Sequence, residues 1–152
     1  MMIVLVEDDD NKARQIISFL SVEFKGLLVE HRKSYTSGLK AIRELKPILV
    51  LLDMSLPNYD GEISSTEGGK FRSYGGRDIL YQLSRRGADV RVLVVTQYDS
   101  FSSEANAKSL ETLAEELGNE FPQHFIGAVF YSASQDDWKN RISDHLEKVL
   151  PK

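Results

Sequence analysis

The stretch Ile48-Leu49-Val50-Leu51-Leu52-Asp53 consists of five apolar residues followed by one carboxylate. A strand that is apolar at every position is typical of the centre of a parallel sheet, where helices cover both faces. Asp53 then stands at the carboxyl end of this strand, which is the end at which open α/β sheets bind ligands. The stretch therefore predicts a buried central strand that ends in a candidate functional carboxylate.

Apolar runs of strand length alternate with segments of helical period along the chain. Predicted strands cover residues 3–6, 27–30, 48–52, 90–95 and 125–131. Predicted helices run from residue 11 to a stop at Gly26, and then over residues 34–46, 77–85, 103–117 (with Gly118 as its stop) and 136–150. Five alternations of strand and helix predict the α/β class, with a doubly wound parallel sheet between two layers of helices.

The composition limits the classes of function that the chain can have. With 152 residues, of which 41% are hydrophobic, residues 1–152 are expected to form one domain with a sizeable core. The absence of Cys excludes disulfides, thiolate metal sites and cysteine nucleophiles. A formal net charge of −4 disfavours direct binding of nucleic acid, and the sequence contains neither a membrane span nor a signal peptide. We therefore expect a cytoplasmic protein without a membrane or nucleic-acid partner.

Polar residues stand directly after most of the predicted strands. Since the carboxyl ends of parallel strands share one edge of a sheet, we expect these residues to meet in space. They are Glu7, Asp8 and Asp9 after the first strand, Asp53 after the third, Thr96 after the fourth, and Tyr131 and Ser132 after the fifth. Clustered carboxylates repel unless a hard cation with oxygen ligands neutralises them, which predicts a Mg²⁺ site. Asp9 and Asp10 have a second interpretation, because an acid before a helix is typical of an N-cap.

Asp53 also has the chemistry of a phosphoryl acceptor. A carboxylate can form an acyl phosphate when a metal and hydrogen-bond donors offset the charge on the transferring oxygens, and Thr96 is such a donor. Helix capping does not account for Asp53, because the next predicted helix begins far downstream, at residue 77.

Three motifs follow one another along nearly the whole chain. They are Ile3-Val4-Leu5-Val6-Glu7-Asp8-Asp9, Leu51-Leu52-Asp53-Met54-Ser55-Leu56-Pro57-Asn58-Tyr59-Asp60-Gly61 and Val92-Leu93-Val94-Val95-Thr96. Their most specific feature is an Asp that is followed four residues later by Pro and eight residues later by Gly. Together these motifs resemble the receiver domain of bacterial two-component response regulators.

The resemblance implies the flavodoxin-like fold, a (βα)5 arrangement in three α/β/α layers. It implies that Glu7 and Asp8 form the acidic pair around Mg²⁺, that Asp53 is the phosphoacceptor and a further metal ligand, that Ser55 offers its backbone carbonyl to the metal, and that Thr96 contacts the phosphoryl group. The implied protein is a signalling phosphoacceptor and not an enzyme, with at most self-phosphorylation from small donors and self-dephosphorylation. Its phosphoryl donor would be a histidine kinase or a histidine phosphotransfer protein.

The chain departs from the family pattern at the end of the fifth predicted strand. The family normally has Lys there, whereas the aligned residue is Tyr131, and the aromatic switch position of the same strand is Ala128. The loss of that Lys predicts that a cation is missing from the site, which would weaken stabilisation of the phosphoryl charge. Two segments are also longer than the family norm, an inserted loop at residues 62–75 and an extended fourth helix and loop at residues 99–124.

The inserted loop has two interpretations. Its glycines and serines are typical of a solvated, partly disordered loop. Because it leaves directly from the Asp53 motif, it is alternatively a mobile lid, in which Lys70 or Arg72 replaces the charge lost at Tyr131.

This set of residues is compatible with more than one function. The first is phosphotransfer to Asp53, and its alternative is a pseudo-receiver, an interaction module without regulated phosphorylation. A phosphatase of the haloacid dehalogenase type would need a second Asp where Ser55 stands, and a flavin or nucleotide binder would need a phosphate-binding loop where the chain has acids. Since only Pro151-Lys152 follows the last helix, we expect the output to be an unknown partner protein, a homodimer or onward phosphotransfer.

Overall fold

The computed structural model describes residues 1–61, 71–72, 75–97 and 110–151. Within them the chain alternates between strands and helices. In chain order these are β1 (Met2–Val6), α1 (Asp10–Glu23), β2 (Leu28–Arg32), α2 (Tyr35–Leu45), β3 (Leu49–Leu52), β4 (Leu56–Pro57), β5 (Phe71–Arg72), α3 (Gly75–Arg86), β6 (Arg91–Thr96), α4 (Leu110–Glu120), β7 (Phe125–Phe130) and α5 (Asp137–Val149).

The main sheet is parallel and has the strand order β2-β1-β3-β6-β7. Both neighbours of β3 are parallel to it, with Val6 of β1 opposite Leu52 and Val94 of β6 opposite the same residue. All four residues of β3 are buried, because helices cover both faces of the sheet. The prediction of a doubly wound, flavodoxin-like α/β fold is therefore confirmed.

Strand residues of alternate parity point into two separate cores, as the pleat requires. On one face α1 and α5 pack on β-strand side chains that include Leu5, Leu51 and Val95. On the other face α2, α3 and α4 pack on the intervening residues, which include Val6, Leu52 and Val94. The sheet thus lies between two helical layers, and its carboxyl edge is left for polar residues.

Two features of the connections differ from the sequence prediction. Leu56 and Pro57 pair with Arg72 and Phe71 as a short antiparallel sheet, although a polar loop was expected after Asp53. Leu56 and Pro57 are buried, so this part of the connection belongs to the core. Gly118 lies inside α4 instead of ending it, because the helix continues to Glu120 and Leu117 and Phe121 are both buried.

The predicted insert and extension lie partly outside the described residues. Of the insert at residues 62–75, the structure describes the strand β5 and the start of α3, while Lys70 and the side chain of Arg72 lie outside what is described. Of the extension at residues 99–124, it describes residues 110–124. The lid hypothesis and the boundaries of a single domain over residues 1–152 stay predictions.

Candidate phosphoacceptor site

Three carboxylates predicted from the sequence lie together among the described residues. Glu7, Asp8 and Asp53 each offer one oxygen, and these oxygens all lie within 4.8 Å of one another. Glu7 and Asp53 are 2% and 8% exposed, and Asp8 is half-buried. The arrangement follows from the register, because β1 and β3 are adjacent parallel strands that end at Val6 and Leu52. The Asp53 N–H continues the ladder by donating to the Val6 carbonyl at 3.1 Å.

A buried lysine that was not predicted as a site residue completes this cluster. Lys12 is 1% exposed, and its Nζ lies 2.6 Å from Glu7 Oε1 and 3.3 Å from Asp53 Oδ1. The same ammonium donates to the Val95 carbonyl at 2.7 Å. The expectation that a cation is missing from the site is therefore wrong. A signal for Lys12 exists in the sequence, since it lies one helical turn before Ile16 on the apolar face of α1.

The start of α1 holds Lys12 in this position. Asp9 is the N-cap, and its side chain accepts from the backbone N–H groups of Asn11 at 2.9 Å and Lys12 at 3.1 Å. The capping interpretation is thus confirmed for Asp9, while Asp10 points elsewhere and pairs with Lys33 at 2.9 Å. From this capped first turn the Lys12 side chain reaches Glu7 after β1, Asp53 after β3 and the Val95 carbonyl of β6.

Burial and neighbouring charges together raise the pKa values of three groups in this cluster, Glu7, Asp8 and Lys12. Burial raises the pKa of Glu7, and the Lys12 charge opposes that rise. Burial and then the Asp53 charge raise the pKa of Asp8 above its ordinary value. Burial lowers the pKa of the Lys12 ammonium, but the charges of Asp53 and Glu7 outweigh burial, so its pKa is raised. The lysine therefore stays charged. A bound cation would stabilise the ionised form of the carboxyl groups.

Thr96 and Ser55 lie at the same edge of the sheet. Thr96 is buried and ends β6, two residues beyond Val94, which is opposite Leu52. Ser55 is half-buried and follows Asp53 by two residues in the connection that begins there. Both residues thus lie near the carboxylate cluster. The contacts of Thr96 with a phosphoryl group and of the Ser55 carbonyl with a metal stay predictions.

The loop that carries Asp53 is also in close contact with α3. The Gly76 N–H donates to the Met54 carbonyl at 3.0 Å. A Cβ at Gly76 would lie 2.4 Å from the Asp53 carbonyl oxygen and 2.9 Å from Met54 Cα, which no real side chain tolerates. Glycine is needed here because it lets the start of α3 approach the backbone of the Asp53 loop.

Tyr131 packs inside the protein beside the cluster. It is 2% exposed, its ring centroid lies 5.1 Å from that of Trp138, and the Lys12 Nζ lies 5.7 Å from the Tyr131 ring centroid. Its backbone N–H donates to the Thr96 carbonyl at 2.9 Å, which extends the pairing of β6 and β7. Tyr131 therefore occupies the space beside the Lys12 ammonium. Ala128, the predicted switch position, is half-buried in β7.

None of the helices within the described ranges is long and apolar enough to cross a membrane. No protein-family model matches the chain.

The chain is similar over nearly its whole length to two proteins from bacteria. It is 30% identical over 144 residues to the uncharacterized protein y4jR of Sinorhizobium fredii, and the match covers 95% of each chain. It is 27% identical over 150 residues to the Detocs response regulatory protein DtcB of Enterobacter cloacae, and that match covers 98% of each chain.

Solved structures of receiver domains have the same fold. The response regulator TrrA of Thermotoga maritima, solved in complex with Mg²⁺ and BeF, superimposes with a TM-score of 0.65 at 16% identity and covers 98% of each chain. A CheY-like receiver domain of Methanospirillum hungatei superimposes with a TM-score of 0.61 at 21% identity, covering 97% of this chain and 92% of the other. The chain therefore has the fold of response regulator receiver domains, and it is similar over nearly its whole length to a protein named as a response regulatory protein.

Proposed function

We propose that the protein is a phosphoacceptor receiver of a two-component or phosphorelay system, and that it is phosphorylated on Asp53 with Mg²⁺ as its cofactor. The observation that carries the proposal is the convergence of Glu7, Asp8 and Asp53, with oxygens within 4.8 Å of one another, at the ends of adjacent parallel strands. Carboxylates held this close favour a divalent cation with oxygen ligands.

The charges of the cluster support a divalent cation. When Glu7, Asp8, Asp53 and Lys12 are all ionised, an excess of two negative charges remains, which one divalent cation neutralises. We propose that Glu7, Asp8, Asp53 and the backbone carbonyl of Ser55 hold the ion. Bound Mg²⁺ would offset the charge on the oxygens of a transferring phosphoryl group. The presence of Mg²⁺ and BeF in the crystals of TrrA supports the same assignment.

Asp53 is the group that we assign as the nucleophile. One of its carboxylate oxygens forms a bond to phosphorus while the bond from phosphorus to the donor atom breaks, and the electron pair leaves with the donor. We propose that Thr96, which is buried at the end of β6, donates a hydrogen bond to the phosphoryl oxygens. Hydrogen-bond donors aimed at developing charge in a partly water-excluded site stabilise the transition state.

We infer that the donor is a histidine kinase or a histidine phosphotransfer protein in the cytoplasm. The output is then altered contact with an unknown downstream protein, contact with a second copy of the chain or onward phosphotransfer. The whole-length match to two proteins named Detocs response regulatory protein supports a signalling role of that kind.

Phosphorylation of the wild type beside Asp53→Asn tests this proposal. The proteins are incubated with acetyl phosphate with and without Mg²⁺, and the bound phosphoryl group is measured by intact-protein mass spectrometry. We expect labelling of the wild type that requires Mg²⁺ and no labelling of Asp53→Asn. Asp10→Asn is a matched control, since Asp10 lies at the same edge but pairs with Lys33 and should label normally.

The pseudo-receiver is the alternative that the same experiment detects. A folded wild type that takes no phosphoryl group from acetyl phosphate at saturating Mg²⁺ would contradict the proposal. The protein would then be an interaction module that uses the receiver fold without regulated phosphorylation.

A further inference from the structure

The Lys12 ammonium has three acceptor oxygens around it, two from carboxylates and one from a backbone carbonyl. An ammonium has three N–H donors, and its neighbours here are Glu7 Oε1 at 2.6 Å, the Val95 carbonyl at 2.7 Å and Asp53 Oδ1 at 3.3 Å. The two short contacts hold the ammonium in place. The long third contact points at the carboxylate that we assign as the phosphoryl acceptor.

This position is a costly one for a lysine. Lys12 is 1% exposed and lies in the first turn of α1, three residues after the N-cap Asp9. Burial of an ammonium carries a desolvation penalty, and a positive charge in the first turn opposes the helix dipole. An apolar residue would continue the buried face of Ala13, Ile16 and Leu20 without either cost. Groups that violate local rules in this way are concentrated at functional sites.

We propose that Lys12 is a catalytic residue that donates a hydrogen bond to the phosphoryl group on Asp53 and so supplies the cation that β7 lacks at Tyr131. This inference rests on the proposed function of Asp53 as phosphoacceptor.

The contact distances indicate how the lysine would act. A phosphoryl group bonded to Asp53 removes charge from that carboxylate and adds a phosphorus atom whose three outer oxygens share negative charge. The donor that now contacts Asp53 Oδ1 at 3.3 Å then exchanges to a phosphoryl oxygen, while the contacts to Glu7 and Val95 stay. Lys12 keeps its proton throughout. The ammonium is already immobilised, so little conformational entropy is lost in the transition state.

The packing around Tyr131 is consistent with a cation supplied by Lys12 and not by a lysine at residue 131. The Tyr131 ring is buried between Trp138 and the Lys12 ammonium, whose Nζ lies 5.7 Å from the ring centroid. A lysine at residue 131 would compete with Lys12 for the same space. The cation therefore comes from the first turn of α1, and an aromatic ring fills the place at the end of β7.

Lys12→Met tests the proposal, because methionine has a similar length and no charge. Labelling by acetyl phosphate is followed at saturating Mg²⁺, and Mg²⁺ affinity is titrated separately through the fluorescence of Trp138. We expect the labelling rate to fall about a hundredfold, which is typical for loss of one charge-stabilising donor. We expect Mg²⁺ affinity to be equal or higher, since a like charge leaves the site. A lysine that served only as a structural counter-ion would leave the labelling rate at saturating Mg²⁺ unchanged.

Two controls separate the possible failures. Lys33→Met removes a half-exposed lysine at the same edge, which pairs with Asp10, and should label like the wild type. If the wild type itself takes no phosphoryl group, the proposed function fails and this inference fails with it. If the wild type is labelled and Lys12→Met is labelled at the same rate, the inference alone is overturned.

A charge-balanced pair of variants covers the case in which Lys12→Met does not fold. Loss of Lys12 leaves Glu7 buried without its partner, which is strongly destabilising, whereas Glu7→Gln removes that charge first. Glu7→Gln is then compared with Glu7→Gln/Lys12→Met at saturating Mg²⁺. We expect the second protein to be labelled at least tenfold more slowly than the first. Equal rates in this pair would overturn the proposal.

Discussion

The two faces of the sheet contact the Asp53 region in different ways. On one face a side chain of α1 contacts the carboxylates, and on the opposite face the backbone of α3 lies against the backbone of Asp53. Lys12 of α1 brings its ammonium to 2.6 Å from Glu7 and 3.3 Å from Asp53. Across the sheet, α3 begins so close to Asp53 that a Cβ at Gly76 would lie 2.4 Å from its carbonyl oxygen.

The two contacts fix different properties of Asp53. The α1 face sets the charge around the carboxylate, so substitutions there are expected to change chemistry more than the position of the loop. The α3 face sets where the backbone of the loop lies, so substitutions there are expected to change stability and chemistry together.

Gly76→Ala tests the backbone contact and should have the largest effect on stability. The added methyl group forces the Asp53 loop and α3 apart, because its neighbours are backbone atoms that cannot rotate away. We expect the free energy of unfolding to fall by about 3 kcal/mol, measured by urea denaturation, and labelling of Asp53 to fall with it.

Gly118→Ala is the matched control within α4. A Cβ there has as its nearest neighbour the Phe125 ring at 3.8 Å, an ordinary van der Waals distance. Alanine should therefore stabilise the helix by up to about 1 kcal/mol. A Gly76→Ala protein as stable as the wild type would contradict the steric account of the α3 contact.

Lys12→Met/Tyr131→Lys tests whether the charge can be moved between elements. Since both side chains lie beside the same carboxylates, a lysine from β7 should recover about tenfold or more of the labelling rate lost in Lys12→Met. Tyr131→Lys alone should bring no gain, because Lys12 already supplies the charge. A double variant that folds, as judged by circular dichroism, and labels no faster than Lys12→Met would contradict this prediction.

The pH dependence of Mg²⁺ binding tests the electrostatics of the α1 side. Burial and the Asp53 charge raise the pKa of Asp8, and burial raises the pKa of Glu7, so protons compete with Mg²⁺ for these carboxylates at higher pH than for ordinary carboxyl groups. Mg²⁺ affinity, expected to be about millimolar or somewhat tighter, should therefore weaken as the pH falls from about 8 to about 5, by up to about tenfold per pH unit for each proton displaced.

Calorimetric titration in buffers of different ionisation enthalpy measures both the affinity and the protons released. Asp8→Asn should bind Mg²⁺ much more weakly. Asp10→Asn should keep the wild-type profile, because the Lys33 ammonium lowers the pKa of Asp10 outside the cluster. An affinity that does not change between about pH 8 and about pH 5 would contradict the raised pKa values.

Asp9→Ala should have the smallest effect, since it acts on Lys12 through the helix start. The Asp9 carboxylate accepts from the N–H groups of Asn11 and Lys12, and loss of such a cap costs about 1 kcal/mol. Asp136→Ala is its control, because Asp136 precedes α5 but makes no side-chain cap bond, so its loss should be near neutral. Thermal unfolding of the two variants gives the comparison, and equal losses would contradict the capping role of Asp9.

Short-range patterns in the sequence were sufficient for the main elements and for the acidic edge. The apolar run ending at Asp53 predicted a central strand, and the parallel topology then placed Glu7, Asp8 and Asp53 at one edge. Glycine as a helix stop was less reliable. At Gly118 the burial of Leu117 and Phe121 outweighs the local cost of glycine, so α4 continues.

Pairing between distant short segments left no signal in the sequence. Leu56 and Pro57 meet Phe71 and Arg72 over only two residue pairs, which is too short for a strand periodicity to be detected. The same limit applies to a helix that approaches a loop through its backbone, as α3 does at Asp53.

By itself, the sequence determined the order of strands and helices and the edge at which the carboxylates gather, because both follow from residue periodicity and from the polarity of parallel strands. The tertiary structure decided which positively charged side chain joins the carboxylates. Alignment along β7 showed only that Tyr131 stands where a lysine was expected, whereas the packing of α1 on the sheet buries Lys12 beside Glu7 and Asp53. The physical reason is that an ion pair depends on distance in space, and two elements far apart in the chain can deliver a charge to the same point.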